Sequence, residues 1–206
     1  MSLLKQTVKS ARAFALAAAC SALLFAGAQS SQAATLHYTE VSTLSGTVDG
    51  TPFTNATVTF QTSGDTANIT AVVPSLLYEL AGTVTFDIAG IGAGTFNGSD
   101  SFGVFALHQG ATNAVGFLDV TLRDAIPYLG ISDTSYDLST ATSLTGTNSF
   151  ASHAAGYSTT LGTLIINGAS GSGSFTATEV AAAPEPSSMA LMAGALAAAV
   201  GFRRKR

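Results

Sequence analysis

Cysteine is almost absent from this chain of 206 residues, because Cys20 is its only thiol. Cys20 lies in an apolar stretch near the N-terminus, and removal of that stretch would leave a mature protein with no disulfide and no cysteine-based metal site. In a lipoprotein Cys20 would carry the lipid, but Ala17 stands where a large aliphatic residue is expected. Tryptophan is absent too, so any aromatic contact with a ligand falls to tyrosine or phenylalanine.

Positive charge is scarce in the middle of the chain. Of the eight Lys and Arg residues, three lie near the N-terminus, four close the chain, and Arg123 alone lies between them. Residues 34–183 carry eleven acids, so eleven negative charges against one positive charge give this body a net charge of −10. Such a surface repels nucleic acid and anionic lipid headgroups. It suits Ca²⁺ or a neutral glycan better than an acidic polymer.

Residues 1–33 have the layout of a secretory signal peptide. A basic segment with three cations precedes the apolar residues 13–28, and small residues follow. We predict export through the Sec translocon and cleavage between Ala33 and Ala34. An uncleaved N-terminal helix is the alternative, and the small residues so close to the apolar segment argue against it.

Residues 34–181 are predicted to form one all-β domain, an antiparallel β-sandwich or a barrel-like structure. Threonine and aromatic residues favour strands, glycine marks turns, and apolar residues alternate with polar ones instead of recurring at a helical spacing. Short strands with turns every 8–12 residues are typical of such domains.

The clearest hairpin lies early in this domain. A strand over residues 35–48 precedes Asp49-Gly50, a pair typical of tight turns, and a return strand over residues 53–62 follows. Residues 102–107 are apolar on both faces and predict a strand in the centre of the sheet.

Other stretches are less regular. Residues 75–80 have room for one helical turn, although a turn of that length is marginal. Residues 124–134 contain Pro127 and predict a loop. The remaining later strands are expected over residues 115–122, 136–138, 143–150, 159–166 and 174–180.

Residues 182–206 differ in composition from the domain before them. Pro184-Glu185-Pro186 cannot lie inside a helix or a central strand, so we expect an extended backbone that is open to a protease. Residues 187–202 carry no charge. As a helix they would span roughly 24 Å, just short of a hydrocarbon core of about 30 Å.

Four cations end the chain and would keep this C-terminal end on the cytoplasmic side of the membrane, namely Arg203, Arg204, Lys205 and Arg206. The tripeptide, the short apolar helix and the basic end, in this order, resemble the PEP-CTERM sorting signal of Gram-negative bacteria. The resemblance implies recognition by a membrane-embedded exosortase, transient insertion of the helix in the inner membrane, and removal of the tail near the tripeptide. It also implies delivery to the cell surface or to an extracellular matrix.

Two alternatives compete with this interpretation of the tail. A plain C-terminal membrane anchor could contain Pro-Glu-Pro by chance, but the apolar span is short for that role. A GPI signal also joins small residues to an apolar tail, but it normally ends apolar. The body, mainly over residues 45–70, resembles the Thr/Gly-rich β domains found ahead of PEP-CTERM tails, which implies location and fold rather than chemistry.

No catalytic motif is evident, and we predict no catalytic residue. There is no Gly-x-Ser-x-Gly elbow, and the best local group for acid-pair chemistry is Asp119 and Asp124 around Arg123. A simple ion pair of Arg123 with a neighbouring acid is the preferred interpretation of that group. The three histidines show no zinc-site spacing; they are His37, His108 and His153.

Calcium is the only metal for which the sequence offers candidate ligands, and otherwise we predict no cofactor. Oxygen-rich loops contain Asp100, Asp133 and Asp137, although such loops also form ordinary Asx turns. Tyrosines in or beside predicted loops could stack on sugar rings; they are Tyr128, Tyr136 and Tyr157.

These features predict a non-enzymatic protein that is exported to the cell surface or to the extracellular matrix. Its role would be structural or adhesive, in association with exopolysaccharide or biofilm, and without nucleic acid. The alternative function is a secreted enzyme, such as a hydrolase, that acts on extracellular polysaccharide. A protein that stays tethered to the membrane would instead keep its four C-terminal cations.

Overall fold

The computed structural model describes residues 33–98, 102–109, 112–122, 124–133 and 135–181. Outside these residues lie Asp100, Arg123, residues 1–32 of the predicted signal peptide and the sorting signal, and with them both predicted flanking helices. The described residues from Ala34 onward belong to one compact unit. Apart from a 3₁₀ turn over Thr66–Asn68, regular structure in the described ranges is β-strand. These ranges contain no helix that is both long and apolar enough to cross a membrane.

The described residues form one antiparallel sheet of twelve strands. Its order is β3-β4-β7-β8-β9-β10-β12-β1-β2-β5-β6, and β11 pairs with β12 beside this path. The predicted all-β, antiparallel class is therefore confirmed. The strands are β1 (Thr35–Val48), β2 (Thr51–Asp65), β3 (Thr70–Val73), β4 (Leu77–Ala81), β5 (Thr85–Ile88), β6 (Gly92–Thr95), β7 (Phe102–Gln109), β8 (Thr112–Asp119), β9 (Asp124–Ile131), β10 (Thr142–Phe150), β11 (Tyr157–Thr159) and β12 (Gly162–Glu179).

The hairpin of β1 and β2 forms as the sequence predicts. Asp49 and Gly50 both take positive φ, 48° and 79°, as the two central residues of a type I′ hairpin turn do. Along β1 every second side chain is buried. On β2, Val58 and Phe60 face the core, while Thr57 stays exposed.

The predicted loop over residues 124–134 is wrong, because β9 pairs there with both β8 and β10. Proline cannot donate a ladder hydrogen bond, so Pro127 argues against a central strand. The register between β8 and β9 shifts after Gly116, where Ile126 and Pro127 together face Phe117. Such a bulge is one of the places where a strand tolerates proline.

The two strands predicted over residues 159–166 and 174–180 are also wrong as separate elements. β12 is one strand of 18 residues, preceded by the short β11. The glycines between the two segments stay in the ladder, since Gly168 pairs with β1 and Gly173 with β10. Gly171 has a φ of 67°, and the register against β1 shifts nearby. The glycines therefore form an irregularity within a strand, not a turn.

Three smaller predictions fail as well. The possible helical turn over residues 75–80 is replaced by β4, which pairs with β7. β8 ends at Asp119, so Leu122 lies beyond the strand and is 53% exposed. Residues 136–138, which the structure describes, form no strand, and Leu138 takes a φ of 69°.

The sheet curls so that its two halves face each other across the core. The rings of Phe60 on β2 and Phe117 on β8 lie 5.9 Å apart, although four strands separate β2 from β8 in the sheet order. Phe86, Phe96 and Phe102 continue this aromatic cluster. One curled sheet thus encloses the core as a half-closed barrel, and β7 lies inside the sheet order as predicted.

The edge strand β6 is covered where the curl brings it to β11. Phe96, just after β6, forms an isolated bridge with Thr159 of β11. The backbone N–H of Thr160 donates to the carbonyl of Thr95 at 2.9 Å. An edge that pairs in this way offers fewer free backbone groups to another chain.

Candidate ligand-binding groove

β7 organises the candidate site because both of its faces are buried. Phe102 and Val104 belong to the main core inside the curl. Phe105 belongs instead to a second apolar cluster, together with Ala114 and Leu118 of β8. All three are at most 5% exposed. The sheet therefore carries apolar packing on its outer face as well as its inner one.

A groove of about 320 Å³ lies over this outer cluster. Its volume is at the lower end of the range for small-molecule sites, about 300–1,000 Å³. Most of the lining is apolar, and it also includes one tyrosine and two carboxylates. The lining residues are Leu77, Glu79, Phe105, Leu107, Ala114, Leu118, Asp124, Ala125, Tyr128 and Ala151.

Tyr128 is the only one of the three predicted sugar-stacking tyrosines that lines the groove. Its ring is partly buried and meets Phe105 edge-on, with ring centroids 6.5 Å apart. Tyr136 and Tyr157 are 5% and 3% exposed and belong to the main core, so the prediction is wrong for them. Burial raises the pKa of the Tyr157 phenol to about 12, and nearby Asp124 adds to the effect.

The segment after β10 is fixed beside the groove. The backbone N–H of Ala151 donates to the carbonyl of Ala125 at 2.9 Å. Nδ1 of His153 lies 3.3 Å from Oδ2 of Asp124, and the imidazole stacks on Tyr157 with centroids 5.1 Å apart. The Asp124 side chain remains 42% exposed, so it can still accept a hydrogen bond from a ligand.

The structure brings together the predicted acid pair, because Asp119 and Asp124 are directly opposite in the β8–β9 hairpin. Oδ1 of Asp119 accepts hydrogen bonds from the backbone N–H groups of Thr121 and Leu122, at 2.8 and 2.9 Å. Asp119 is also buried. It therefore caps the turn, and Asp124 is the member of the pair that a ligand can reach. The third member, Arg123, lies outside the described residues.

Two of the three predicted calcium ligands cap local turns. Oδ1 of Asp133 accepts from both the backbone N–H and the hydroxyl of Ser135, and Oδ1 of Asp137 does the same with Ser139. The bonds from Ser135 lower the pKa of Asp133 below its usual range. Asp100 lies outside the described residues. Calcium binding at these loops stays a prediction.

The histidines of the described chain have separate local partners. Nδ1 of His37 lies 2.8 Å from the hydroxyl of Ser63, and Nε2 of His108 lies 2.6 Å from the carbonyl of Tyr136. His153 is at the groove. No group of three or more His, Cys, Asp or Glu side chains in the described ranges is placed to hold a metal ion.

The tail lies outside the described residues, and its sequence decides its class. A family model of the PEP-CTERM protein-sorting motif matches residues 182–206. The chain carries a PEP-CTERM sorting signal. This confirms the predicted resemblance and the assignment to proteins that are exported and sorted by an exosortase, with a cell-surface or extracellular destination.

The PEP-CTERM match begins at residue 182, just after the β domain ends, and covers none of the strands. No curated protein and no solved structure matches the chain. The role of the β domain is therefore argued from its own residues. The processing positions, between Ala33 and Ala34 and near Pro184-Glu185-Pro186, stay predictions.

Proposed function

We propose that the β domain of this PEP-CTERM protein is a non-enzymatic, glycan-binding component of the cell surface or extracellular matrix. The observation that carries the proposal is the groove on the outside of the sheet. It combines an apolar lining with a partly buried tyrosine, Tyr128, and an accessible carboxylate, Asp124. Ligand sites in proteins commonly join a mainly apolar wall to a few polar groups that orient the ligand.

A sugar ring fits this combination because it has apolar C–H faces and polar edges. The partly exposed ring of Tyr128, which packs against Phe105, offers an aromatic surface for the apolar face, and the Tyr128 hydroxyl and Asp124 offer partners for ring hydroxyls. The charge of the body supports a neutral sugar, since its acids repel an anionic polymer. Retention of a secreted protein in exopolysaccharide or biofilm would follow from many such contacts along one polymer.

Binding is favoured over hydrolysis by the state of the opposed acids. A glycosidase needs one carboxyl group as acid and a second as nucleophile or base. Asp119 is buried and already accepts two backbone hydrogen bonds in the turn. Asp119 is thus unsuited to act as the second carboxyl group. Glu79, the other carboxylate that lines the groove, is only 5% exposed. A secreted polysaccharide hydrolase is therefore the alternative function, and release of reducing sugar from a glycan would be its signature.

The test is retention of the protein, as exporting cells release it, on insoluble glycans, with an assay for released reducing sugar. We expect saturable retention without sugar release. Tyr128→Ala should weaken retention about tenfold, equivalent to the loss of roughly 1.4 kcal/mol, while Tyr128→Phe keeps most of it. Leu122→Ala, an exposed apolar residue of the nearby turn, is the matched control. Steady release of sugar would replace the binder by the enzyme, and unchanged retention of Tyr128→Ala would remove the groove from the proposal.

A further inference from the structure

The outward side chains of five adjacent strands form a second, chemically different surface. The strands β10, β12, β1, β2 and β5 are neighbours in the sheet. Five residues, one from each strand, are direct cross-strand neighbours, and each places a hydrogen-bonding side chain on the outer face. These side chains, which we call the hydroxyl row, are Ser143, Thr176, Thr39, Gln61 and Thr85.

The hydroxyl row points outward because its sequence neighbours fill the core. Phe175 directly precedes Thr176, Phe60 directly precedes Gln61, and Phe86 directly follows Thr85. All three phenylalanines are buried. The row itself is partly or fully exposed. Four strand spacings of roughly 4.8 Å give it a length of about 19 Å.

Most hydroxyls of this row have no hydrogen-bond partner among the residues that the structure describes. In the described part of the chain, the hydroxyls of Ser143, Thr176 and Thr39 make no hydrogen bond. Only the hydroxyl of Thr85 does, weakly, to the carbonyl of Gln61 at 3.4 Å. Exposed hydroxyls can both donate and accept, so the row can pair with a ligand that does the same.

The adjacent level of the sheet continues this surface. Thr145, Ser174, Val41, Thr59 and Asp87 lie side by side on the same five strands. They stand two residues along each strand from the hydroxyl row, or about 6.7 Å. This level contains one carboxylate and no cation, so it offers an anionic polymer no counter-charge.

A shallow depression lies at the β1–β2–β5 end of the hydroxyl row. Its volume is about 310 Å³, and every side chain that lines it is polar. It includes the His37 imidazole, which contacts the Ser63 hydroxyl at 2.8 Å. The lining residues are His37, Gln61, Thr62, Ser63, Thr83 and Thr85.

We propose that the hydroxyl row binds a neutral polysaccharide chain that lies across the strands. The proposal rests on the glycan-binding function proposed above, but it concerns a face that shares no strand with the groove of β4, β7, β8 and β9. A neutral glycan carries hydrogen-bond donors and acceptors along its whole length and has no charge. The hydroxyl row likewise combines donors and acceptors and contains no charged side chain. Each hydrogen bond adds only about 0.5–1.5 kcal/mol net of water, so a chain must engage several residues together to be held.

The experiment compares two matched triple variants in the protein as exporting cells release it. Thr39, Thr85 and Thr176 are replaced together by valine, which keeps the shape and strand preference but removes the hydroxyl. In the matched control the same three residues become serine, which keeps the hydroxyl and removes the methyl group. Retention is measured on amorphous cellulose and curdlan as neutral polymers and on alginate beads as an anionic one, after thermal melting has shown that each variant is folded.

We expect the valine variant to lose at least fivefold in retention on a neutral polymer and the serine variant to match the wild type. Short oligosaccharides of the same sugar should compete poorly, because they span only part of the row. Unchanged or tighter retention of the valine variant would overturn the proposal, as would binding to alginate alone. Should the triple valine variant not fold, Thr39→Val/Thr176→Val carries the same expectation.

Failure of this inference is separable from failure of the groove. If Tyr128→Ala loses retention and the valine variant does not, the groove stands and the hydroxyl row is overturned. If the valine variant alone loses retention, the row stands and the groove is overturned. Wild-type protein that no neutral polymer retains would overturn both.

Discussion

The hydroxyl of Ser42 donates a hydrogen bond of 2.6 Å to Oε1 of Glu40, and both side chains lie inside the main core. Glu40 is 0% exposed and stands directly between Phe60 and Phe175 on the neighbouring strands. Oε2 has no hydrogen-bond partner among the described residues. Burial raises the pKa of Glu40 to about 8, while the bond from Ser42 acts in the opposite direction. The carboxyl group is therefore mostly protonated at neutral pH.

The first prediction concerns pH and stability. The folded protein holds the Glu40 proton more tightly than the unfolded chain, so the contribution of Glu40 to the free energy of unfolding is highest below its unfolded pKa of about 4.3. It should fall as the pH rises and level off above about 8. Between pH 5 and pH 8 we expect a loss of roughly 3 kcal/mol from this group, measured by denaturant unfolding.

Glu40→Gln is the control for this titration. Glutamine keeps an oxygen that can accept from Ser42 but cannot ionise, so the variant should lose most of the fall between pH 5 and pH 8. The difference between wild type and variant isolates Glu40 from other titrating groups. Parallel curves for the two proteins over this range would show that Glu40 does not titrate in the core.

A second prediction uses two buried tyrosines with different hydroxyl environments. The Tyr38 hydroxyl donates to the carbonyl of Leu138 at 2.7 Å, whereas the buried Tyr157 hydroxyl has no hydrogen-bond partner among the described residues. Tyr38→Phe should therefore lower the free energy of unfolding by about 1–2 kcal/mol, because it also leaves the carbonyl unpaired. Tyr157→Phe should change it by less than about 0.5 kcal/mol, since no bond is lost. Equal costs for the two variants would contradict this account.

The close approach of β8 and β9 gives a third prediction. A Cβ on Gly116 would lie 2.5 Å from the carbonyl oxygen of Pro127 and 2.6 Å from Cα of Tyr128, and neither backbone atom can move freely. Gly116→Ala should cost about 1–3 kcal/mol, as overpacking does. Gly130→Ala, on the neighbouring strand β9, is the control, because the nearest atom to its added Cβ would be the carbonyl oxygen of Thr147 at 4.0 Å. Thermal melting of both variants distinguishes them, and similar melting temperatures would refute the predicted contact.

The sequence predicts the strands that alternate cleanly and misreads those that break a local rule. β1 and β2 bury one face and leave the other partly or fully exposed, so their period of two is visible along the chain. Pro127 hides β9, because proline usually excludes a central strand and only the partner strand reveals the bulge. The glycines of β12 mislead in the same way. They predict a turn between two strands, but glycine is equally common at a bulge inside one strand.

The groove could be anticipated only in part. Residues 102–107 are apolar on both faces, which indicates burial on both sides of a strand. Nothing in the chain shows that a second cluster covers the outer side, because Phe105 meets residues from β4, β8 and β9 only through sheet order. The curl of the sheet is likewise not visible in the sequence. It buries Tyr136 and Tyr157, whereas a position in or beside a loop predicts that both are exposed.

The fourth prediction concerns the sorting signal, whose class the family match establishes. An exosortase that cuts near Pro184-Glu185-Pro186 would release the domain from the apolar residues 187–202. In the predicted orientation those residues would otherwise stay in the bilayer, with the final cations on the cytoplasmic side. Glu185→Ala should therefore move most of the protein from the extracellular to the membrane fraction.

Mass spectrometry of the C-terminal peptide checks that outcome directly. Released wild-type protein should lack the last four residues, and membrane-bound Glu185→Ala protein should keep them. Ser188→Ala lies just beyond the tripeptide and serves as the matched control, because it changes neither Pro184-Glu185-Pro186 nor the number of uncharged residues that follow. Mature wild-type protein that still ends in Arg206 would favour permanent tethering, since the apolar residues 187–202 would then hold the domain at the membrane without any cut.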